Sequence, residues 1–361
     1  MANACPTSIS TLALMVRGQS FKQKARQPCA AQRATHSALR IITFQPQLSA
    51  NMSKLFVVFG ATGQQGGSIV DHVINDSELS KQYTIRAVSR DATSDGAKQL
   101  SAKGVEVVTA DPNDPPTLRP ALEGAHIVFG MTFPDFEDVK NSEVRQGRAI
   151  TDAAVAEKAQ YFILSTLPWV SKISGGKYTK VEAFDAKAEV EEYIRQQPIR
   201  SAFFAPGSFM QNYHSVMKPR KAPDGTYSIS RHVSPKTQLP MIDTVGDAGK
   251  FVGAILADPD KYEGKTFCAA TKVYSMEEQA QILSKHTGKA VVYKQLPEDV
   301  FRSFLPNTGY TDILIQMMSY QQDFGYYGAD TIELVAWAAK NARGEVTTFE
   351  EYLEKNPMDL E

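Results

Sequence analysis

Nowhere in its 361 residues does the chain carry an apolar run long enough to cross a bilayer, so no transmembrane helix and no membrane partner are expected. Cysteine is scarce. Cys5, Cys29 and Cys268 are too few and too scattered for a disulfide framework, which points to a reducing compartment. Charge of neither sign prevails, and a formal net charge of −1 gives no electrostatic reason to expect direct nucleic-acid binding. The histidines (His36, His72, His126, His214, His232 and His286) are dispersed, with none paired to another His, a Cys or a carboxylate at metal-ligand spacing. No structural or catalytic metal is expected. A Gly-x-Ser-x-Gly elbow, a Walker loop and a Cys with a plausible His partner are also missing, which removes the commonest hydrolytic chemistries.

Acid is missing locally. The first Asp or Glu of the chain is Asp71, whereas Arg17, Lys22, Lys24, Arg26, Arg33 and Arg40 stand among Ser, Thr, Ala and Gln in the first 51 residues. Such a leader resembles a mitochondrial transit peptide. The plainer reading, which we prefer, is a disordered extension that packs against nothing, with Met52 as an alternative start just before the first strand. The expected location is cytoplasmic, nuclear or both, and mitochondrial if the leader is a transit peptide. Over the whole chain the composition, 42% apolar and 22% charged, is ordinary for a soluble globular protein. The length suits one large α/β domain, or a domain with a smaller lobe.

The chain is organised around Lys54-Leu55-Phe56-Val57-Val58-Phe59-Gly60-Ala61-Thr62-Gly63-Gln64-Gln65-Gly66. An apolar strand feeds a glycine-rich turn, and a helical pattern starts at once, the context that a dinucleotide fingerprint needs. A β-carbon at Gly60 would obstruct the turn, one at Gly63 would hold the backbone off a pyrophosphate, and Gly66 lets the helix pack on the strand. Free N–H groups at the helix start and its dipole favour a diphosphate. Apolar strands near 84–88, 105–108, 125–130, 161–165 and 200–204 then alternate with helical stretches near 95–103, 116–123, 143–159 and 181–196. The expected fold is α/β, a doubly wound parallel Rossmann-type sheet over residues 52–205. Beyond residue 206 Pro and Gly punctuate shorter segments, and a smaller mixed α/β lobe over 206–361 should wall the substrate or partner side, with some strands returning to the main sheet.

An acidic residue at the end of the second strand usually takes the ribose hydroxyls of NAD. Here Val88-Ser89-Arg90-Asp91 offers a guanidinium instead, the fork-shaped cation that a 2′-phosphate needs, so NADP(H) is expected over NAD. The bland alternative is a solvated arginine partly neutralised by Asp91. Asp111, ahead of Pro112, is placed either to meet an adenine edge or to form a turn.

Together with Glu143-Val144-Arg145-Gln146-Gly147, Phe184-Asp185-Ala186-Lys187-Ala188-Glu189-Val190-Glu191-Glu192-Tyr193 and Lys221-Ala222-Pro223-Asp224-Gly225, these segments resemble the NmrA-like family of atypical short-chain dehydrogenase/reductases. The resemblance is particularly close to the family's human NADPH-sensing member. It implies a Rossmann domain with NADP(H). Gly60, Ala61, Thr62, Gly63, Gln64 and Gln65 would hold the diphosphate, and Arg90, Asp91, Ala92, Thr93 and Ser94 the 2′-phosphate. Asp111 and Pro112 would meet the adenosine. Thr132, Phe133, Pro134, Arg145, Lys187, Phe209, Met210, Gln211 and Asn212 would line the nicotinamide end, although Phe133-Pro134 and Arg145 depart from the human residues there.

The superfamily places a tyrosine four residues before its catalytic lysine, where the lysine lowers the phenol's pKa. Here Lys187 is preceded at that spacing by Ala183, which cannot donate a proton. Tyr178 is near, but Glu182 at i+4 would raise its pKa. Ser165 could supply a hydroxyl or simply cap its strand. Enzymes resembling isoflavone reductase do use a lysine in a similar Phe-Asp-x-Lys setting, whereas the bland alternative is a surface lysine paired with Glu191. Two functions follow: a redox sensor that binds NADP(H) and alters contact with a regulatory protein partner, or an NADPH-dependent oxidoreductase that uses Lys187 on a small organic substrate. The missing phenol favours the sensor.

Overall fold

The computed structural model describes residues 53–135, 137–222, 224–305 and 308–360. The expectations for the leader and for Met52 lie outside the described residues. β1 (Lys54–Phe59) alternates its side chains between two buried layers: Phe56 and Val58 enter one core, Val57 and Phe59 the other. A strand buried on both faces is what a parallel sheet under two helical layers requires. Six further strands join it: β2 (Tyr83–Ser89), β3 (Glu106–Thr109), β4 (Ile127–Gly130), β5 (Tyr161–Ser165), β6 (Arg200–Pro206) and, from far along the chain, Thr266–Ala269. Every pairing in this sheet is parallel, and the order runs β3-β2-β1-β4-β5-β6 before the late strand at the edge. This is the doubly wound Rossmann-type topology, and its order reverses between β1 and β4, where ligands bind outside the strands' carboxyl ends.

On one face lie α1 (Gln64–Asn75) and the later helix Thr244–Ala257, whose Phe251, Val252 and Ile255 meet Ile69 and Val70 in one core. The other face carries the helices Val139–Ala156 and Glu182–Arg195, which bury Ile150, Val190 and Ile194. Each fully buried Phe, Val or Ile here contributes about 1.5–3 kcal/mol. The helix expected near 116–123 is split: Pro115–Thr117 is a 3₁₀ turn, and Leu118–Leu122 a short α-helix. Prolines suit such a start because their missing N–H groups would be unpaired there anyway.

Two small sheets stand beyond β6. In one, Gln238–Ile242 pairs antiparallel with Lys272–Ser275 and parallel with Ser208–Phe209. In the other, Tyr227–Arg231 pairs parallel with Val291–Gln295 and antiparallel with Arg220–Lys221. Their shared core includes Met210, Tyr213, Tyr227, Ile229, Leu283 and Phe349.

Candidate functional site

At the switch point the chain turns on Gly60, whose φ of +67° favours glycine. A β-carbon there would strike the Met131 sulfur. Gly63 N–H closes the turn by donating to the Gly60 carbonyl at 2.9 Å. A β-carbon on Gly66 would run into the Gly60 carbonyl and lie 2.8 Å from Ala61 Cα, so the helix packs on the turn's own backbone. Ala61 is buried, whereas Thr62, Gly63 and Gln64 are exposed at the start of α1. Gln65 Oε1 accepts a 2.7 Å hydrogen bond from Ser165 Oγ, which ties the helix start to the end of β5.

Arg90 follows β2 directly. Its guanidinium lies 5.7 Å from the Phe133 ring centroid and has no ion pair or hydrogen bond among the described residues. Asp91 does not neutralise it. That carboxylate accepts from Thr93 N–H at 2.7 Å and Thr93 Oγ1 at 2.6 Å, and these bonds hold its pKa below the usual value. Ala92 is half-buried in the same loop, and Ser94 caps the helix Asp95–Ala102 by accepting from Ala97 N–H. Asp111 forms a turn, its carboxylate accepting from Asn113 N–H at 2.9 Å, with Pro112 half-buried beside it.

A second group of residues converges where the helices Val139–Ala156 and Glu182–Arg195 pack. Glu143 is fully buried, and its Oε2 accepts from both Lys187 Nζ and Thr132 Oγ1. Lys187 Nζ also donates to Thr132 Oγ1 at 3.3 Å. Glu143 Oε1 is buried with no hydrogen-bond partner. Burial pushes the Lys187 pKa down from 10.5 because it penalises the charged form, with Glu143 pulling the other way. Lys187 thus pairs with Glu143, while Glu191 pairs with Arg195 at 2.7 Å. Phe133 is held through both backbone groups by Gln146, each bond 2.9 Å. Pro134 is half-buried next to it.

A cleft of about 830 Å³ opens between this group and the small sheets; Gln65, Ser165, Lys187, Phe209 and Asn212 line it. Of the residues expected at the nicotinamide end, Arg145, Met210 and Gln211 do not line this cleft. Arg145 is on an exposed face and bonds Asp138 at 3.0 Å. Met210 is fully buried in the core shared by the small sheets, and Gln211 donates to Asp243 Oδ1 at 2.7 Å. Tyr178 Oη donates to Asp323 Oδ2 at 2.7 Å, and burial and that carboxylate raise its pKa. The phenol's acidic neighbour is therefore Asp323, not Glu182. Among the described residues no cluster of His, Cys, Asp and Glu is placed to hold a metal ion, and no helix is long and apolar enough to cross a membrane.

A parallel sheet of this order, with a glycine turn at its switch point, defines a doubly wound α/β protein of the dinucleotide-binding type. More narrowly, the chain belongs to the NmrA-like family, whose sequence model matches residues 52–353. It is 29% identical over 314 residues to an NmrA-like family domain-containing protein of Dictyostelium discoideum, covering 84% of this chain and 98% of that one. It is 27% identical over 275 residues to an NmrA-like family domain-containing oxidoreductase of Aspergillus campestris, covering 70% and 78%. Among solved structures it is similar to NmrA, a negative transcriptional regulator, in complex with NADP, with a TM-score of 0.70 and 23% identity over 85% of this chain and 98% of that one.

Proposed function

We propose that this protein binds NADP(H) across the Gly60 turn and Arg90, and that it reduces a small organic molecule held in the adjoining cleft. The observation that carries the cofactor is Arg90: a guanidinium with no ion pair or hydrogen bond among the described residues, at the strand end where an acid would favour NAD. Relatives named as oxidoreductases, and a solved relative that holds NADP, support the same reading. When bound, the nicotinamide would supply hydride. The residues of this chain supply the remainder. Gln65 and Ser165 hold the cleft's floor to the glycine turn, and Phe209 and Asn212 flank it. Lys187, with a lowered pKa and with Glu143 and Thr132 fixing its ammonium, is the proton donor that Ala183 cannot be. Proton donation of this kind is typically worth about 10²–10⁴ in rate.

The test supplies NADPH with a panel of aldehydes, ketones, enones and quinones and follows the loss of NADPH absorbance. Turnover abolished in Lys187→Met, with NADPH affinity retained, is the expected result. Failure to bind either nicotinamide cofactor sinks the reading. A second reading, a redox sensor acting on a regulatory protein partner, draws on Ala183 and on the regulator among the structural relatives. It predicts no turnover on any panel member, with NADPH instead changing hydrogen-exchange protection in the segments that wall the cleft.

A further inference from the structure

The wall of the 830 Å³ cleft has one chemical asymmetry. It carries five cationic side chains, Lys187, Lys218, Arg220, Lys221 and Arg231, and no carboxylate among the described residues. Of the five only Lys187 has a carboxylate partner among the described residues, Glu143. Lys218, Arg220 and Lys221 are exposed and solvated, and their charge alone carries little. Arg231 differs. It ends the strand Tyr227–Arg231, is half-buried, and its guanidinium makes one hydrogen bond among the described residues, from Nη1 to the Ser230 carbonyl at 2.8 Å. Two neutral phenols that act on it electrostatically are engaged elsewhere: Tyr293 Oη donates to the Val233 carbonyl at 2.6 Å, and Tyr213 Oη to Gln279. The Phe301 ring, 6.0 Å from the guanidinium, gives it an aromatic rather than an ionic neighbour.

A guanidinium has five donors, and withdrawing its charge from water is costly unless an anion meets it. The remaining wall near it is soft and apolar, with Met217, Met276, Met317 and Met318 beside Phe301 and Phe304, a surface that adapts to flat organic molecules. From these features we propose that Arg231 is the specificity residue of the cleft, and that the molecule bound there is a flat, largely apolar organic anion whose carboxylate or equivalent group pairs with that guanidinium. The proposal rests on the reading of the cleft as the substrate site. It deepens that reading by naming the substrate class, and it sets the anionic end at the small sheets and the reacting end at Lys187.

Direct binding tests this without turnover. Matched pairs of 2-naphthoate, 4-biphenylcarboxylate and cinnamate with their methyl esters are titrated calorimetrically into the full-length protein saturated with NADPH. At least one acid should bind about tenfold or more tighter than its ester, the magnitude of one hydrogen-bonded charge pair. Arg231→Leu should abolish that preference, Arg231→Lys should keep part of it, and Lys221→Ala should leave it intact. Equal binding of acid and ester across all three pairs, binding of none of them, or a preference that survives Arg231→Leu overturns the proposal. If Arg231→Leu fails to fold, the acid–ester comparison on the unmodified protein and Arg231→Lys still decides it. NADPH affinity, measured first, separates the two readings: its absence refutes cofactor binding, whereas its presence without acid preference refutes only the role of Arg231.

Discussion

Glu143→Gln is the most informative perturbation of this molecule, because it removes a charge while keeping the side chain's volume and its ability to bond Thr132. Glu143 is fully buried and the Lys187 side chain is 16% exposed, so the substitution leaves a nearly buried ammonium without its counter-ion. Removing one partner of a buried pair costs about 3–5 kcal/mol. Lys187 borders the cleft and can shed its proton, so we expect a cost around the bottom of that range, about 2–4 kcal/mol at neutral pH. With about 2–4 °C per kcal/mol for a body of this size, the melting temperature should fall by roughly 5–15 °C. The pH dependence gives the sharper signature. The folded-state pKa of Lys187 lies below 10.5, so between that value and 10.5 the unfolded chain binds more protons and this group makes stability rise with pH. Glu143→Gln removes the attraction that opposed burial, which lowers the folded value further and extends the interval downward. The variant's deficit should therefore be full on the acid side and shrink as pH rises towards 10.5. Calorimetric scans across pH for wild type, Glu143→Gln, Lys187→Met and the double variant measure it, and a coupling of about 0.5–3 kcal/mol between the two positions is expected. A deficit that stays constant with pH, or two single effects that simply add, would refute the view that these residues act as one unit.

Arg90→Ala should weaken NADPH about 10- to 150-fold, a loss of about 1.5–3 kcal/mol for one charge-assisted contact, and leave NADH nearly unchanged; equal loss for both by calorimetry removes Arg90 from the 2′-phosphate. Gly66→Ala sets a β-carbon against the Gly60 carbonyl and Ala61 Cα, and such overpacking costs about 1–3 kcal/mol. A lower melting temperature together with weaker NADPH binding is expected, and wild-type values for both would show that the helix start does not need this close approach. Tyr178→Phe deletes the 2.7 Å bond to Asp323, so it should cost about 1 kcal/mol in urea unfolding and leave NADPH oxidation untouched. Lost turnover in a folded Tyr178→Phe protein would make that phenol a proton donor after all.

The nucleotide-binding half of the fold was legible because its strands are buried on both faces and read as unbroken apolar runs, as Phe56-Val57-Val58-Phe59 and Phe162-Ile163-Leu164 do. The small sheets were not, for an opposite reason. In Tyr227–Arg231 the core takes Tyr227 and Ile229, while Ser228, Ser230 and Arg231 line the cleft, so a strand of five residues shows only two apolar positions. Gln238–Ile242 contains Pro240, which argues against a strand in most settings. It is tolerated here because the parallel partner pairs only with Met241 and Ile242, leaving that edge open at the proline.

The site divides in the same way. Residues required for backbone shape, such as Gly60 and Gly66, announce themselves by spacing, since their requirement is local. Glu143 does not, because its partner Lys187 is 44 positions away and the two meet only when two helices cross. A signal was nevertheless present. Glu143, Gln146, Gly147 and Ile150 follow the i, i+3, i+4, i+7 period of one helix face, and a carboxylate on the apolar side of such a face needs a buried partner. Applied to the helix Glu182–Arg195, the same rule sets Lys187 inward with Val190 and Ile194, against the surface pairing with Glu191 that the i+4 spacing offers. The two inward charges are of opposite sign on neighbouring crossovers of one sheet face, and burial leaves them no cheaper arrangement than to meet. Ala183 cannot hold a proton, whereas Lys187, four residues on, is drawn out of water and oriented by a carboxylate and a threonine at the edge of the cleft.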